Sequence, residues 1–197
     1  MKLLLGLLRP SAGSAAVLGL DCSSQSREVK AIVGSTPDEP AFYDFLTGRE
    51  VLDFTVEVRG LDRATAWPRI EADAAELDFT PQLDLLVGGY SLGMKKKLAV
   101  LCAVAHLPKV LLLDEPTNAL DPGSAAKVRT LARRLASQGS AVLISTHLLP
   151  MAELLCDRVL LLREGKLLAE GTVADLRARA GLGAEGTLED AFLALVG

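Results

Sequence analysis

Apolar residues in this chain follow two rhythms, and the second half shows the clearer one. VLLLDE (110–115) and AVLIST (141–146) are short continuous apolar runs, the pattern of strands buried on both faces. Between them AAKVRTLARRLASQG spaces its apolar residues as an amphipathic helix, closed by Gly139. MAELLCD reads as a short helix and RVLLLREGKLLAEGT as a hairpin turning at Glu164-Gly165. ADLRARAG and TLEDAFLALV predict two further helices around a Gly-rich joint.

The first half is less regular. MKLLLGLLRPSAG predicts a short amphipathic helix stopped by Pro10 and followed by a Ser/Gly turn. It is a poor secretory leader, because Leu3 to Leu8 is short, contains Gly6 and ends at Arg9-Pro10, whereas a leader needs about 7–15 unbroken apolar residues. SAAVLGLDC reads as a short strand with a Gly-Leu-Asp turn, and EVKAIV (28–33) as a second strand ended by the turn-rich loop GSTPDEP. Thr47 and Glu50 have the spacing of a reciprocal helix cap. A helix over 62–77 follows, with Pro68 inside it as a kink or break. In YSLGMKKKLAVLCAVAHLPK, Leu98, Leu101, Cys102 and Ala105 fall on one helical face, with the lysines towards the start. Strand–helix–strand alternation with fully apolar strands predicts an α/β fold, a parallel sheet covered by helices.

Composition narrows the function. With 197 residues, half of them hydrophobic, the chain can bury a substantial core. Its net charge of −4 argues against a nucleic-acid surface. The 3 cysteines (Cys22, Cys102, Cys156) are far apart and the 2 histidines form no sequence cluster with them, which argues against a structural zinc site and for reduced, buried thiols. No apolar run approaches the roughly 18 residues that span a bilayer.

The strongest chemical signal is VLLLDEPTNALDP (110–122). A buried strand delivers two adjacent acids, Asp114 and Glu115, to its C-terminal edge, where open α/β sheets bind ligands. Alternation aims the two carboxylates differently, one towards a metal and one towards a water. Burying two acids side by side is costly without a cation or hydrogen bonds, which disfavours a purely structural role.

This segment resembles the Walker B motif and D-loop of ATP-binding cassette (ABC) ATPases, and the resemblance extends over nearly the whole chain. YSLGM (90–94) is similar to the family's signature motif, with Ser91 as N-cap and Gly93 leaving backbone room for a ligand. The resemblance implies that Ser91, Leu92, Gly93 and Met94 face the ATP held by the opposite subunit of a homo- or heterodimer. AVLISTHLL resembles the switch-histidine segment, implying a γ-phosphate contact for His147; His106, on the last turn of the signature helix, reads as structural. PDEPAFYDFLTGRE resembles the loop that enters the helical subdomain and faces the membrane subunit, its usual glutamine falling at Asp38 or Glu39. Asn118-Ala119-Leu120-Asp121 fits the D-loop, and TLEDAFLALVG resembles the C-terminal end of bacterial export-type subunits.

The resemblance implies a P-loop NTPase-like fold, with an ATPase core over 1–41 and 107–197 and a helical signature subdomain over 42–106. It implies an ATPase using ATP and Mg²⁺, with Asp114 as metal residue, Glu115 as catalytic base and Asp121 and Asp38 near the nucleotide. The resemblance also implies an integral-membrane permease subunit as partner, and with it a place in the cytoplasm at the inner face of the membrane. The GxxxxGK[ST] P-loop is absent from the sequence. MKLLLGLLRPSAG resembles the continuation of the helix that follows a P-loop, so the chain reads as an N-terminally truncated cassette, poor at hydrolysis by itself, with unpaired edges beside the missing strand. Two alternatives stay open: a non-catalytic subunit offering its signature motif to an intact partner, and an ABC ATPase of translation or DNA repair.

Overall fold

A computed structural model describes residues 1–196. The chain forms two compact units, Met1–Ser145 and a second from Thr146 onward.

The first unit begins without the expected helix. Leu5 N and Leu7 N donate to the carbonyls of Met1 and Lys2 (3.3 and 3.0 Å), but Gly6 takes a φ of 61° and the segment stays a series of turns. β1 (Ala16–Val17) and β2 (Leu20–Asp21) make a minimal antiparallel hairpin, turning at Leu18-Gly19 with both φ values positive. The EVKAIV stretch is not a strand. Asp21 accepts from the amides of Ser23 and Ser24, and the turn this builds runs into α1 (Ser26–Ile32). The strand starts at Val33, the last residue of that stretch: β3 is Val33–Thr36, and its GST reads in the sequence as the start of a loop. Gly34 explains the discrepancy. A β-carbon there would lie 2.0 Å from the Ala103 carbonyl oxygen, so this strand glycine marks a close backbone approach and not a turn.

Three helices separate β3 from the next strand. α2 (Gly48–Val58) carries the predicted capping box, Glu50 N to Thr47 Oγ1 at 3.2 Å and Thr47 N to Glu50 Oε2 at 2.7 Å. α3 (Arg63–Glu76) is capped by Asp62 and continues through Pro68 as one helix. The lone tryptophan, Trp67, donates to Asp53 at 2.7 Å and lies under the guanidinium groups of Arg49 and Arg63. α4 (Leu92–Val104) follows two short 3-10 turns and is buried over most of its circumference.

β4 (Val110–Asp114) is buried at every position but the last. It pairs in parallel with β3 on one side and with β5 (Ala141–Ser145) on the other, with α5 (Pro122–Ser137) crossing between β4 and β5. β5 departs from the doubly buried strand its sequence suggests. Among the described residues it has β4 on one side only, and Leu143 is 38% exposed. The parallel sheet and its helices match the expected class. One apolar cluster joins Leu52, Ile70 and Phe79 of the intervening segment to Leu111 and Leu113 of β4 and to Val128 and Leu131 of α5.

The second unit holds α6 (Leu149–Leu155), the hairpin β6 (Val159–Arg163) and β7 (Lys166–Gly171), α7 (Val173–Arg179) and α8 (Leu188–Val196). The hairpin turns at Glu164-Gly165 as its sequence predicts. Arg177 of α7 pairs with Glu153 of α6, whose other oxygen accepts the Leu188 amide at 3.0 Å. Gly197, the last residue of TLEDAFLALVG, lies outside the described residues.

His106 is half-buried, with both ring nitrogens covered. Among the described residues neither ring nitrogen has a well-formed hydrogen bond, and burial, then the charge of Arg59, hold its pKa at about 4, below the ordinary 6.5, against the opposing pull of the Val33 backbone. The unfolded chain therefore binds this proton first. The stability linked to His106 is complete above about pH 6.5 and is lost as pH falls towards about 4. Urea midpoints at pH 7 and pH 5 should differ for the natural chain and differ less for His106→Gln. Gly34→Ala should destabilise the first unit by about 2–3 kcal/mol, through overpacking against α4, in the same measurement.

Candidate functional site

The C-terminal edge of the parallel sheet collects the polar residues of the first unit. Register sets Thr36 opposite Leu113 and Asp114 opposite Ser145, so the ends of β3, β4 and β5 are level. The Ser145 hydroxyl donates to Asp114 Oδ1. The Thr36 hydroxyl is 5% exposed and has no partner among the described residues, a cost that interiors rarely leave unmet. Glu115 follows at a φ of 44°, left-handed backbone that a bulky side chain seldom adopts, and its amide is held by the Ser145 carbonyl at 2.9 Å. Pro116 then ends the strand.

The segment after Glu115 folds as two overlapping turns, Asn118 N to Glu115 O (3.3 Å) and Leu120 N to Thr117 O (3.2 Å). It leads into α5 through Asp121, whose carboxylate caps the helix by accepting from Ser124 N at 3.0 Å. The side chain and amide of Ser124 hold that carboxyl below its ordinary range. Sequence reasoning put Asp121 near a nucleotide; in the fold its carboxylate is engaged in capping.

α4 starts against this segment. Ser91 caps it as predicted, accepting from Met94 N at 3.2 Å, and Lys95 N bonds the Ser91 carbonyl. That leaves the amides of Leu92 and Gly93 without an acceptor among the described residues, on an exposed helix start. Gly93 was expected to make room for a ligand. In the structure its bare face meets the chain itself: a β-carbon would lie 3.0 Å from Ala119 O and 3.2 Å from Leu120 Cδ2.

Asp38, just after β3, is the other acid at this edge. Its Oδ1 is 2.8 Å from Lys96 Nζ, which also donates to the Glu115 carbonyl at 2.6 Å. Glu39 is exposed beside it. Sequence reasoning missed Lys96, grouping it with two neighbouring lysines at a helix start. The available signal was geometric: successive helical residues point about 100° apart, so three lysines in a row on a largely buried helix must send one inward. The structure thus gathers Asp38, Ser91, Leu92, Gly93, Met94, Asp114, Glu115 and Asp121 in one unit. His147 belongs to the other, exposed on the turn before α6, where Thr146 Oγ1 accepts from Leu148 N at 3.0 Å.

A strand ending in adjacent acids, met by a Ser-capped helix with open amides, is the arrangement expected of a nucleotide cassette, and comparison decides the matter. The family model for ABC transporters matches residues 1–118. The chain belongs to the ABC transporter family. Among ABC relatives, the ATP-binding protein YdbJ of Bacillus subtilis is 35% identical over 171 residues, covering 86% of this chain and 54% of that one. The bacitracin transport ATP-binding protein BcrA of Bacillus licheniformis is 35% identical over 180 residues, covering 91% of this chain and 58% of that one. The chain thus spans little more than half the length of these relatives. A solved ATP-binding subunit of an ABC transporter superposes with a TM-score of 0.92 at 28% identity, covering all of this chain and 81% of its own. The fold is therefore that of the ABC ATPases.

Gly93→Val should test the docking of the signature helix on the turn after Glu115. The added methyl groups meet Ala119 and Leu120, and urea unfolding should show a loss of about 1–3 kcal/mol.

Proposed function

We propose that this chain is the ATP-binding and ATP-hydrolysing part of an ABC transporter, coupling nucleotide turnover to an integral-membrane permease subunit. The observation that carries the reading is the sheet edge at which Asp114 and Glu115 emerge side by side, with the signature helix docked on the turn that follows them.

Asp114 is the metal residue. Among the described residues no group of three or more acids, cysteines or histidines converges, so no all-protein cage is built. A single carboxylate at a strand end suits Mg²⁺, which keeps several waters and takes its remaining oxygens from phosphates. When bound, that ion supplies charge stabilisation to the transferring phosphoryl group. Glu115 polarises the attacking water as general base. Its left-handed backbone breaks the alternation of β4, separating its task from that of Asp114. His147 contacts the γ-phosphate. Ser91, Leu92, Gly93 and Met94 offer the open helix start to ATP held by a second ATPase subunit, identical or related, because free amides and the helix dipole favour phosphate. Asp38 and Asp121 border the same surface.

The permease contact is supported by an apolar patch. Tyr43 and Phe45 are 65% and 73% exposed with rings 5.5 Å apart, and the Thr47–Leu86 bridge sets exposed Leu85 and Leu86 beside their loop. No helix among the described residues is long and apolar enough to cross a membrane. The reading places the chain at the cytoplasmic face, held there by its partner, and the resemblance of TLEDAFLALVG to export-type subunits favours export.

These residues include no P-loop, so the reading requires one from outside them. The chain by itself should hydrolyse ATP at least about a hundredfold more slowly than a cassette supplied with that element. The test is to express the chain joined to any in-frame segment encoded ahead of Met1, with its permease, and to measure turnover. Glu115→Gln should lower kcat about a hundred- to a thousandfold with little change in ATP binding. If Glu115→Gln has no effect, while the chain raises the turnover of a complete subunit and Ser91→Arg abolishes that increase, the chain is a non-catalytic partner instead.

A further inference from the structure

Lys95, Lys96 and Lys97 each reach a different segment from the start of α4. Lys95 lies 3.5 Å from Asp44 in the aromatic loop, and Lys97 donates to the Leu77 carbonyl at 2.9 Å. Lys96 turns inward to the sheet edge and is 3% exposed. A buried ammonium persists only with its donors met, because an unpaired charge out of water is strongly disfavoured. Its acceptors come from two strands: Asp38 after β3 and the carbonyl of Glu115 after β4.

The second acceptor is the informative one. A backbone carbonyl brings no charge to offset the ammonium, so this contact is best understood from the carbonyl's side. Glu115 occupies left-handed backbone, which costs free energy in any residue with a branched or long side chain. Its carbonyl accepts from Asn118 N at 3.3 Å, whereas Lys96 approaches to 2.6 Å. The charged donor is therefore the closer partner, and charge-assisted bonds are the stronger kind.

We propose that Lys96 is a positioning residue, which holds the Glu115 turn in its left-handed form and links that turn to Asp38. A shift of the segment after β3, or of the start of α4, is then felt at the turn that ends β4. The consequence for hydrolysis rests on the role given to Glu115 above, whereas the link itself does not.

The test is amide hydrogen exchange on the whole chain without nucleotide, read at Asn118, whose amide shares the Glu115 carbonyl, and at Leu120. Lys96→Met should speed exchange at Asn118 about tenfold or more. Asp38→Ala, a change at a half-exposed side chain, should speed it about threefold or more through Lys96. In the double variant Asp38→Ala should add nothing to Lys96→Met, the non-additivity expected of one connected network. Equal effects of Asp38→Ala in both backgrounds, or no change at Asn118 in either single variant, would overturn the proposal. If Lys96→Met unfolds the chain, Asp38→Ala alone decides: an unchanged Asn118 rate overturns the link and a faster one upholds it. With no nucleotide present, a chain that never hydrolyses ATP gives the same answer, so failure here is distinct from failure of the ATPase reading.

Discussion

The burial of β4 on both faces is the constraint on which the first unit depends. A strand of four fully covered residues needs a neighbour on each edge and a helical layer above and below. Once β3 and β5 pair with it in register, the ends of all three strands fall level, and the polar residues that terminate them meet at one edge. The acids of β4 emerge where its burial stops, so the same apolar run that fixes the core also decides where charge reaches the surface.

The height of α4 over the sheet follows from a second contact. Gly34 lets the helix backbone settle onto β3 at Ala103, closer than any side chain would allow. That approach brings the start of α4 within reach of the sheet edge, where Lys96 bridges Asp38 and Glu115 and Gly93 meets Ala119. Ion pairs from α5 to the end of α3 (Arg134 with Asp73 and Glu76, Lys127 with Asp78) fasten the other side. The inserted helices are thus joined to the sheet by a shared apolar cluster and by charges at its margin.

Much of this was legible in the sequence, where one physical rule dominated. The apolar runs of β4 and the β6–β7 hairpin, the Thr47–Glu50 cap and the Ser91 cap are local signals, and the fold uses them as read. Failures came where a distant contact outweighed a local one. VGST is a strand because α4 needs its glycine, a fact carried by Ala103, far along the chain. EVKAIV has both strand and helix spacing, and the Asp21 turn before it tips the balance. β5 is as apolar as a central strand but lies at an edge, and periodicity reports composition, not neighbours. At the site, the residue types were visible while their engagements were not: Asp121 is occupied by α5, Gly93 by Ala119, and Lys96 by the acids' own turn.

The setting of Trp67 has a practical consequence for optical work. The chain's single indole is buried between α2 and α3, fixed by Asp53 and flanked by two guanidinium groups. Intrinsic fluorescence therefore reports the environment of that helical segment and is blind to everything from Thr146 onward. A single smooth emission transition would describe one part of the molecule. Far-UV circular dichroism, or a dye on Cys156 in the second unit, has to be followed alongside it before the two units can be said to unfold together.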